Sequence, residues 1–234
     1  MSEDAQPEDQ HDLEALRVPP SAAQGVFGDR LELAECYWNI LATDGIDHGL
    51  MGPREVPRLW DRHILNCAVI SEVIDDAVRV FDIGSGAGLP GLPLAITRPD
   101  LEITLIEPLL RRSTFLERAV TTLGLTNVQV VRGRAEEKVV RAEVGLADVV
   151  TSRAVAPLER LAKWSAPLIR TGGRMIAIKG SSAAEEIERD RATVGRAGIS
   201  GLRVSTCGES LETPTTVVIG TKTEVAGSKK SRRR

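Results

Sequence analysis

Arg79-Val80-Phe81-Asp82-Ile83-Gly84-Ser85-Gly86-Ala87-Gly88-Leu89-Pro90-Gly91 joins an apolar run, an alternation of glycines and a proline-led apolar stretch. The run from Val78 to Ile83 predicts a buried strand. Gly84, Gly86 and Gly88 predict a sharp turn in which the backbone approaches a ligand with no Cβ between them. Pro90 suits the first turn of a helix, where its fixed φ fits and its missing N–H is not needed. A strand, a glycine turn and a helix in that order place a cofactor site at the strand's C-terminal end.

Outward from this stretch the pattern repeats. Leu101–Glu107, Val128–Val131, Ala147–Thr151 and Gly173–Ile178 read as further strands. Helices are expected at Pro90–Thr97, Leu110–Gly124, Ala135–Arg141, Pro157–Ile169 and Ala183–Ala197. Apolar strands alternating with helices imply a mostly parallel sheet covered on both faces. The end of the chain departs from this rhythm. Leu202–Thr206 and Thr215–Gly220 are β-prone and joined by Cys207–Pro214 without a helix, so they must pair antiparallel.

Upstream, two helical stretches are expected. In Gly25–Gly49 the apolar stripe is Phe27, Leu31, Leu33, Ala34, Trp38 and Leu41. In Arg54–Ile74, Leu59, Ile64, Leu65, Ala68 and Val69 form an apolar side, and Arg54, Arg58, Arg62 and His63 a basic one. That basic side reads either as a solvated helix face or as a wall touching phosphates beside a substrate cleft. The resulting division is a disordered leader (1–20), a helical N-terminal subdomain (21–75), an α/β domain (76–222) and a basic disordered tail (223–234).

Composition narrows the function classes. The 234 residues are 42% hydrophobic and 27% charged, enough for one α/β domain with a small attachment. A formal net charge of −3 argues against non-specific coating of nucleic acid, although it leaves room for a local basic site. Cys36, Cys67 and Cys207 share no zinc-type spacing, so no metal is expected. An unclustered, odd set of cysteines fits reduced thiols in the cytoplasm. No apolar run approaches the roughly 20 residues of a membrane helix, and no signal-like segment opens the chain. No apolar helix face or heptad run asks for a second copy, so a monomer is expected.

The glycine loop admits two readings. Gly86-Ala87-Gly88-Leu89-Pro90-Gly91 fits the spacing of dinucleotide-binding enzymes such as an NAD-dependent oxidoreductase. Asp82 through Gly88 fits the S-adenosylmethionine form, with an acid closing the strand. Glu107, ending the second strand, would bond ribose hydroxyls in either case. The terminal hairpin belongs to the Rossmann-like class I methyltransferase fold and favours S-adenosylmethionine. So do Pro90 and Pro93, which crowd a helix start where a pyrophosphate would need free N–H groups. Glu136 is placed to meet the adenine amino group, or else to favour a helix's first turn. Ser152-Arg153-Ala154 follows the fourth strand, where the transferred methyl is faced. No Asp/Asn-Pro-Pro-aromatic motif and no Pro-Cys pair stand there, which argues against amino methylation and covalent C5 methylation. Arg153 instead suits a guanine-like or anionic target, or a strand-end salt bridge. Lys179 closes the fifth strand on the same rim, with a phosphate partner or a purely structural one equally in view.

In one order the chain carries Arg62-His63-Ile64-Leu65-Asn66, Asp82 through Pro93, Arg134-Ala135-Glu136-Glu137, Ser152-Arg153-Ala154 and Lys179-Gly180. Together these resemble the small-subunit ribosomal RNA guanine-N7 methyltransferases, the glucose-inhibited division protein B family. The likeness runs from about Arg54 to Gly220. It implies an S-adenosylmethionine-dependent enzyme that methylates N7 of one guanine in the 530 loop of bacterial 16S rRNA, as naked rRNA or within the 30S subunit. The family's cofactor contacts fall on Gly84, Leu89, Ala135, Glu136 and Arg153, to which the loop chemistry adds Gly86, Gly88 and Glu107. Glu107 and Asn66 stand where many members carry Asp. Guanine N7 has a lone pair and no proton to lose, so no general base is expected. Arg153 and Lys179 are expected to position the target, with Arg62 and His63 on the RNA side. His63 fits an interdomain hydrogen bond equally well. A small-molecule methyltransferase on the same fold, and an RNA-binding protein without activity, are the other readings.

Overall fold

The computed structural model describes residues 14–76 and 78–224. Its strands are β1 (Arg79–Ile83), β2 (Glu102–Glu107), β3 (Val128–Arg132), β4 (Ala147–Arg153), β5 (Ile169–Ile178), β6 (Ile199–Cys207) and β7 (Thr215–Lys222). They form one sheet in the order β3-β2-β1-β4-β5-β7-β6. β1 to β5 are parallel, and β7 runs antiparallel to both β5 and β6. The helix-free connection from Cys207 to Thr215 is therefore the expected hairpin.

The helices are α1 (Ser21–Phe27), α2 (Leu31–Ala42), α3 (Asp44–Asp47), α4 (Asn66–Ala68), α5 (Gly91–Thr97), α6 (Leu110–Thr122), α7 (Lys138–Val144), α8 (Leu158–Ser165) and α9 (Ala183–Arg196). Residues along β1 alternate between two apolar clusters, as strand geometry demands. Val80 joins Tyr37, Trp38, Leu41, Leu59, Ile64, Leu92 and Leu105 on one face. Phe81 and Ile83 join Val150, Leu158, Leu161, Ile187 and Val218 on the other. The N-terminal helices thus share a core with the first face. They also reach the C-terminal ends of β1 and β4, through Tyr37 to Ala87 and His63 to Arg153.

Several local expectations change. Gly25–Gly49 is interrupted at Gly28, whose φ of 53° ends α1 before a 3₁₀ segment (Gly28–Arg30) leads into α2. Arg54–Ile74 is helical but not one α-helix. It runs as a 3₁₀ segment (Pro53–Arg58), π-helical turns (Leu59–Leu65), α4 and a second 3₁₀ segment (Val69–Val73). Pro57 lacks the N–H that an α-helix needs beyond its first turn. The helix expected at Pro157–Ile169 ends at Ser165, because Pro167 opens a 3₁₀ turn (Ala166–Leu168), and β5 then starts earlier than expected. The helix expected at Ala135–Arg141 begins at Lys138. Residues 14–20, expected within the leader, lie against the helical layer. There Leu16 packs on the core, and the Trp60 indole N–H donates to the Arg17 carbonyl at 3.0 Å. The rest of the leader and nearly all of the tail fall outside the described residues.

Among the described residues no helix is long and apolar enough to cross a membrane.

Candidate functional site

Strand order reverses between β1 and β4, the place where open α/β sheets leave a crevice at their C-terminal ends. The glycine loop lies there. Gly84, Gly86 and Gly88 have φ of 70°, 57° and 98°, a region that side-chain-bearing residues avoid. A cavity of about 540 Å³ opens above the loop. Its lining includes Gly84, Gly86, Leu89, Glu107, Arg153 and Val155. A Cβ added at Gly86 would meet no atom nearer than the Gly84 carbonyl at 3.9 Å, so the space beside it is cavity. Gly88 does not line it. A Cβ there would strike Leu92 at 2.4 Å and approach the Tyr37 hydroxyl at 3.2 Å, so Gly88 is a packing glycine.

Glu107 is buried and accepts two backbone N–H groups, Gly86 to Oε2 and Leu109 to Oε1, both at 3.0 Å. Each carboxylate oxygen keeps lone-pair capacity for a vicinal diol. The start of α5 offers no free donors to a pyrophosphate. Gly91 N–H donates to Asp82 Oδ2 at 3.1 Å, Leu92 N–H to the Gly88 carbonyl at 2.7 Å, and Leu94 N–H to the Pro90 carbonyl at 3.1 Å. The site therefore fits an adenosine carried without phosphate. A second, smaller cavity of about 140 Å³ is lined by Ile83, Ile106, Ala135, Glu136, Val155 and Trp164. Its size and apolar walls suit a flat heterocycle, with Ala135 and Glu136 placed at its edge as expected.

On the other side of Arg153, Ala154 and Val155 lies a third cavity of about 430 Å³. Arg62, Asn66, Lys179 and Glu186 line it too. Arg153 is the hinge post between the layers. Its guanidinium donates to the Arg62 carbonyl and to His63 Nδ1, both at 3.0 Å, and reaches Cys67 Sγ at 3.6 Å. His63 Nε2 meets Glu55 Oε2 at 2.7 Å, so the ring is a neutral relay that accepts from Arg153 and donates to Glu55. Burial, then the neighbouring Arg153 charge, hold His63 below the usual imidazole range. His63 thus makes the interlayer bond that the sequence left in balance. Burial pushes the Cys67 thiol up to about 11, so it stays protonated. Lys179 Nζ donates to the Ala156 carbonyl at 3.0 Å and pairs with Glu186 Oε2 at 2.8 Å. Arg62 is largely exposed and lies 3.6 Å from Glu55 Oε1.

Two roles at this site are not given by the sequence motifs. Tyr37 on α2 is fully buried and donates its hydroxyl to the Ala87 carbonyl at 2.8 Å, pinning the glycine loop from the helical layer. The sequence stripe Phe27, Leu31, Leu33, Ala34, Trp38 and Leu41 does not include it. Tyr37→Phe leaves that buried carbonyl unpaired, a cost of about 1–3 kcal/mol. The expected result is a lowered melting temperature together with weaker cofactor binding, read by calorimetry.

The second is Asp82 as a titrating group. It is fully buried under Gly91, and its Oδ1 has no partner among the described residues. Burial pushes it from 3.8 up to about 7. A folded value above the unfolded one means the neutral carboxyl stabilises the fold below about pH 4. That contribution is lost as the pH rises through about 7. Asp82→Asn should therefore gain stability relative to the parent between pH 5 and pH 8, measured by thermal melts of the free protein. A flat difference across that range would contradict the assignment.

Comparison with known proteins agrees with this architecture. Residues 30–214 match the family model GidB, rRNA small subunit methyltransferase G. The chain is 61% identical over 209 residues to the ribosomal RNA small subunit methyltransferase G of Corynebacterium glutamicum, covering 89% of this chain and 93% of that protein. It is 62% identical over 199 residues to the same-named protein of Rhodococcus jostii, covering 85% and 87%. Among solved structures, a predicted O-methyltransferase from Agrobacterium tumefaciens matches with a TM-score of 0.53 at 22% identity, covering 69% of this chain and 80% of that one. Aeropyrum pernix fibrillarin with natively bound S-adenosyl-L-methionine gives 0.52 at 19% identity, covering 68% and 75%. At such identities the likeness is one of fold. With the family model spanning most of its length and relatives near 60% identity, this chain belongs to the GidB family, the rRNA small subunit methyltransferases G.

Proposed function

We propose that the protein methylates N7 of a guanine in the 530 loop of bacterial 16S rRNA, using S-adenosylmethionine, as a cytoplasmic monomer acting on the 30S subunit or a precursor of it. One observation carries the reading: two cavities share a single wall, Arg153-Ala154-Val155, at the switch point of the sheet. The cofactor, when bound, supplies an electrophilic methyl group. Gly84, Gly86 and Leu89 form its floor, Glu107 bonds the ribose, and Ala135 and Glu136 border the adenine. The third cavity takes the target nucleotide, flipped out of its stack.

The residues present suit N7 chemistry. Among the described residues, the only carboxylate lining the third cavity is Glu186, already paired with Lys179. N7 needs no proton removed, so positioning and electrostatics do the work. Arg153 stands at the shared wall, where it steers the guanine's O6 and N7 side. Arg62, largely exposed at the mouth, meets backbone phosphate.

The test incubates the protein with methyl-labelled S-adenosylmethionine and either 30S subunits or naked 16S rRNA. Label in the RNA, with strand scission after reduction at one guanine in the 530 loop, is the expected result. Label confined to a small molecule, or to a base that resists that scission, would replace this reading with another methyltransferase activity. Absence of cofactor binding would leave an inactive RNA-binding protein.

A further inference from the structure

Glu186 sits near the start of α9 and lines the third cavity with Lys179, against the loop that continues the wall shared with the cofactor site. Its side chain is only 16% exposed. Its hydrogen bonds use one oxygen: Oε2 accepts from Lys179 Nζ at 2.8 Å and from Leu158 N–H at 3.2 Å. Among the described residues, Oε1 carries no hydrogen bond. Lys179 likewise spends two N–H donors, on Ala156 and Glu186, and keeps a third.

A neighbouring residue shows what a purely structural carboxylate looks like here. Asp190, one turn along α9, also caps α8, accepting Glu159 N–H at 3.3 Å through Oδ2. Both its oxygens are taken up by Arg189, and it does not line the cavity. Capping α8 therefore explains Asp190 fully and Glu186 by half.

We propose that Glu186 and Lys179 together read the Watson–Crick edge of the target base, Glu186 Oε1 accepting from guanine N1–H and N2–H₂ and Lys179 donating to O6. This rests on the guanine-N7 reading above. The geometry follows from the shape of the base. N7, O6, N1 and N2 follow one another around guanine, so a guanine whose N7 and O6 side meets Arg153 leaves its N1 and N2 groups for residues farther along the same cavity lining, where Lys179 and Glu186 follow. That edge presents acceptor, donor, donor in sequence. A lysine ammonium beside a carboxylate presents the complementary donor and acceptor. Adenine offers an acceptor at N1, where it would repel the carboxylate. Cytosine offers one donor group beside an acceptor, and uracil one donor between two acceptors. Every base offers a donor and an acceptor along this edge, but guanine alone sets two adjacent donors, N1–H and N2–H₂, before the carboxylate with an acceptor beside them for the ammonium, and reading a flipped base along this edge is how such pockets select. Asn66, Ser152 and Leu161, also in this cavity, carry no charge to compete.

The experiment pairs a change in the protein with a change in the base. Parent and Glu186→Gln are assayed on 30S particles reconstituted with guanosine or with inosine at the target position. Inosine keeps N7 and O6 but lacks the N2 amino group. The parent is expected to favour guanosine by about tenfold to a hundredfold in kcat/KM. In Glu186→Gln that ratio should collapse toward one, because Leu158 N–H and Lys179 hold the amide oxygen at the Oε2 position and the amide NH₂, a donor, then faces the base in place of the acceptor. If Glu186→Gln slows both substrates equally and keeps the ratio, Glu186 is a structural clamp and the proposal falls. It also falls if the parent treats guanosine and inosine alike. If the parent places no methyl on N7 of the guanosine substrate, the functional reading itself fails, an outcome seen before any variant is made. Should Glu186→Gln not fold, Lys179→Gln/Glu186→Gln removes the ion pair as a unit, leaves no unpaired half-buried charge, and carries the same comparison. Asp190→Asn serves as the control: it weakens the same helix cap, lowers the melting temperature and leaves the guanosine-to-inosine ratio unchanged.

Discussion

Replacing Arg153 with alanine is expected to lower methyl transfer to 30S subunits about a hundredfold to a thousandfold, the usual cost of removing a preorganised charge beside the reacting atoms. Three contacts end at this guanidinium: the Arg62 carbonyl, His63 Nδ1 and Cys67 Sγ. It also lines both large cavities. Its removal therefore acts twice. The wall between cofactor and target loses its cation, and the helical layer loses the post that holds it over β4. Cofactor affinity should fall as well, since the freed loop no longer shapes the first cavity. Arg153→Lys restores charge but not the planar fork that serves two acceptors at once, so its recovery should be small. Initial rates at varied cofactor and 30S concentrations check this. An alanine variant with parental cofactor affinity and parental turnover would remove Arg153 from the mechanism.

The second large effect is expected at Gly84. Gly84→Ala should weaken cofactor binding at least tenfold. The residue has a φ of 70°, where an L side chain costs about 1–2 kcal/mol. Its new Cβ would lie 2.9 Å from both methyl groups of Val155. Val155 borders all three cavities, so relieving the clash moves the wall that they share. The double variant Gly84→Ala/Val155→Ala separates the two costs. It removes the collision and keeps the φ strain, so binding should recover in part. Isothermal titration with S-adenosylmethionine measures each step. Equal losses in the single and double variants would show that Val155 is not what Gly84 makes room for.

Much of this was legible along the chain, because the signals were local. The alternation of apolar strands with helices, the glycine triplet and the helix-free terminal connection each depend on a few consecutive residues. Gly84, Gly86, Leu89, Glu107, Ala135, Glu136 and Arg153 were named as cofactor contacts and do line the cavities. Gly88 was named with them, and its role is packing. Spacing cannot tell a glycine that admits a ligand from one that admits a leucine, since both need the same missing Cβ. The interruption of Arg54–Ile74 into 3₁₀, π and α turns was missed for a related reason. Apolar periodicity marks the buried side of a helix but not its hydrogen-bond register, which Pro57 disturbs.

The sequence alone determined the order of strands and helices, the antiparallel end and the cofactor loop, because those follow from periodicity, backbone permissiveness and chain connectivity. Only the tertiary structure decided which side chains meet across long separations. Tyr37 reaches Ala87, Arg153 reaches Arg62 and His63, and Lys179 pairs with Glu186 against the loop after β4. These contacts tie the helical layer to the sheet and give the third cavity its paired charges. They arise from packing one face of the sheet under the N-terminal helices and the other under α8 and α9. No local pattern encodes that juxtaposition.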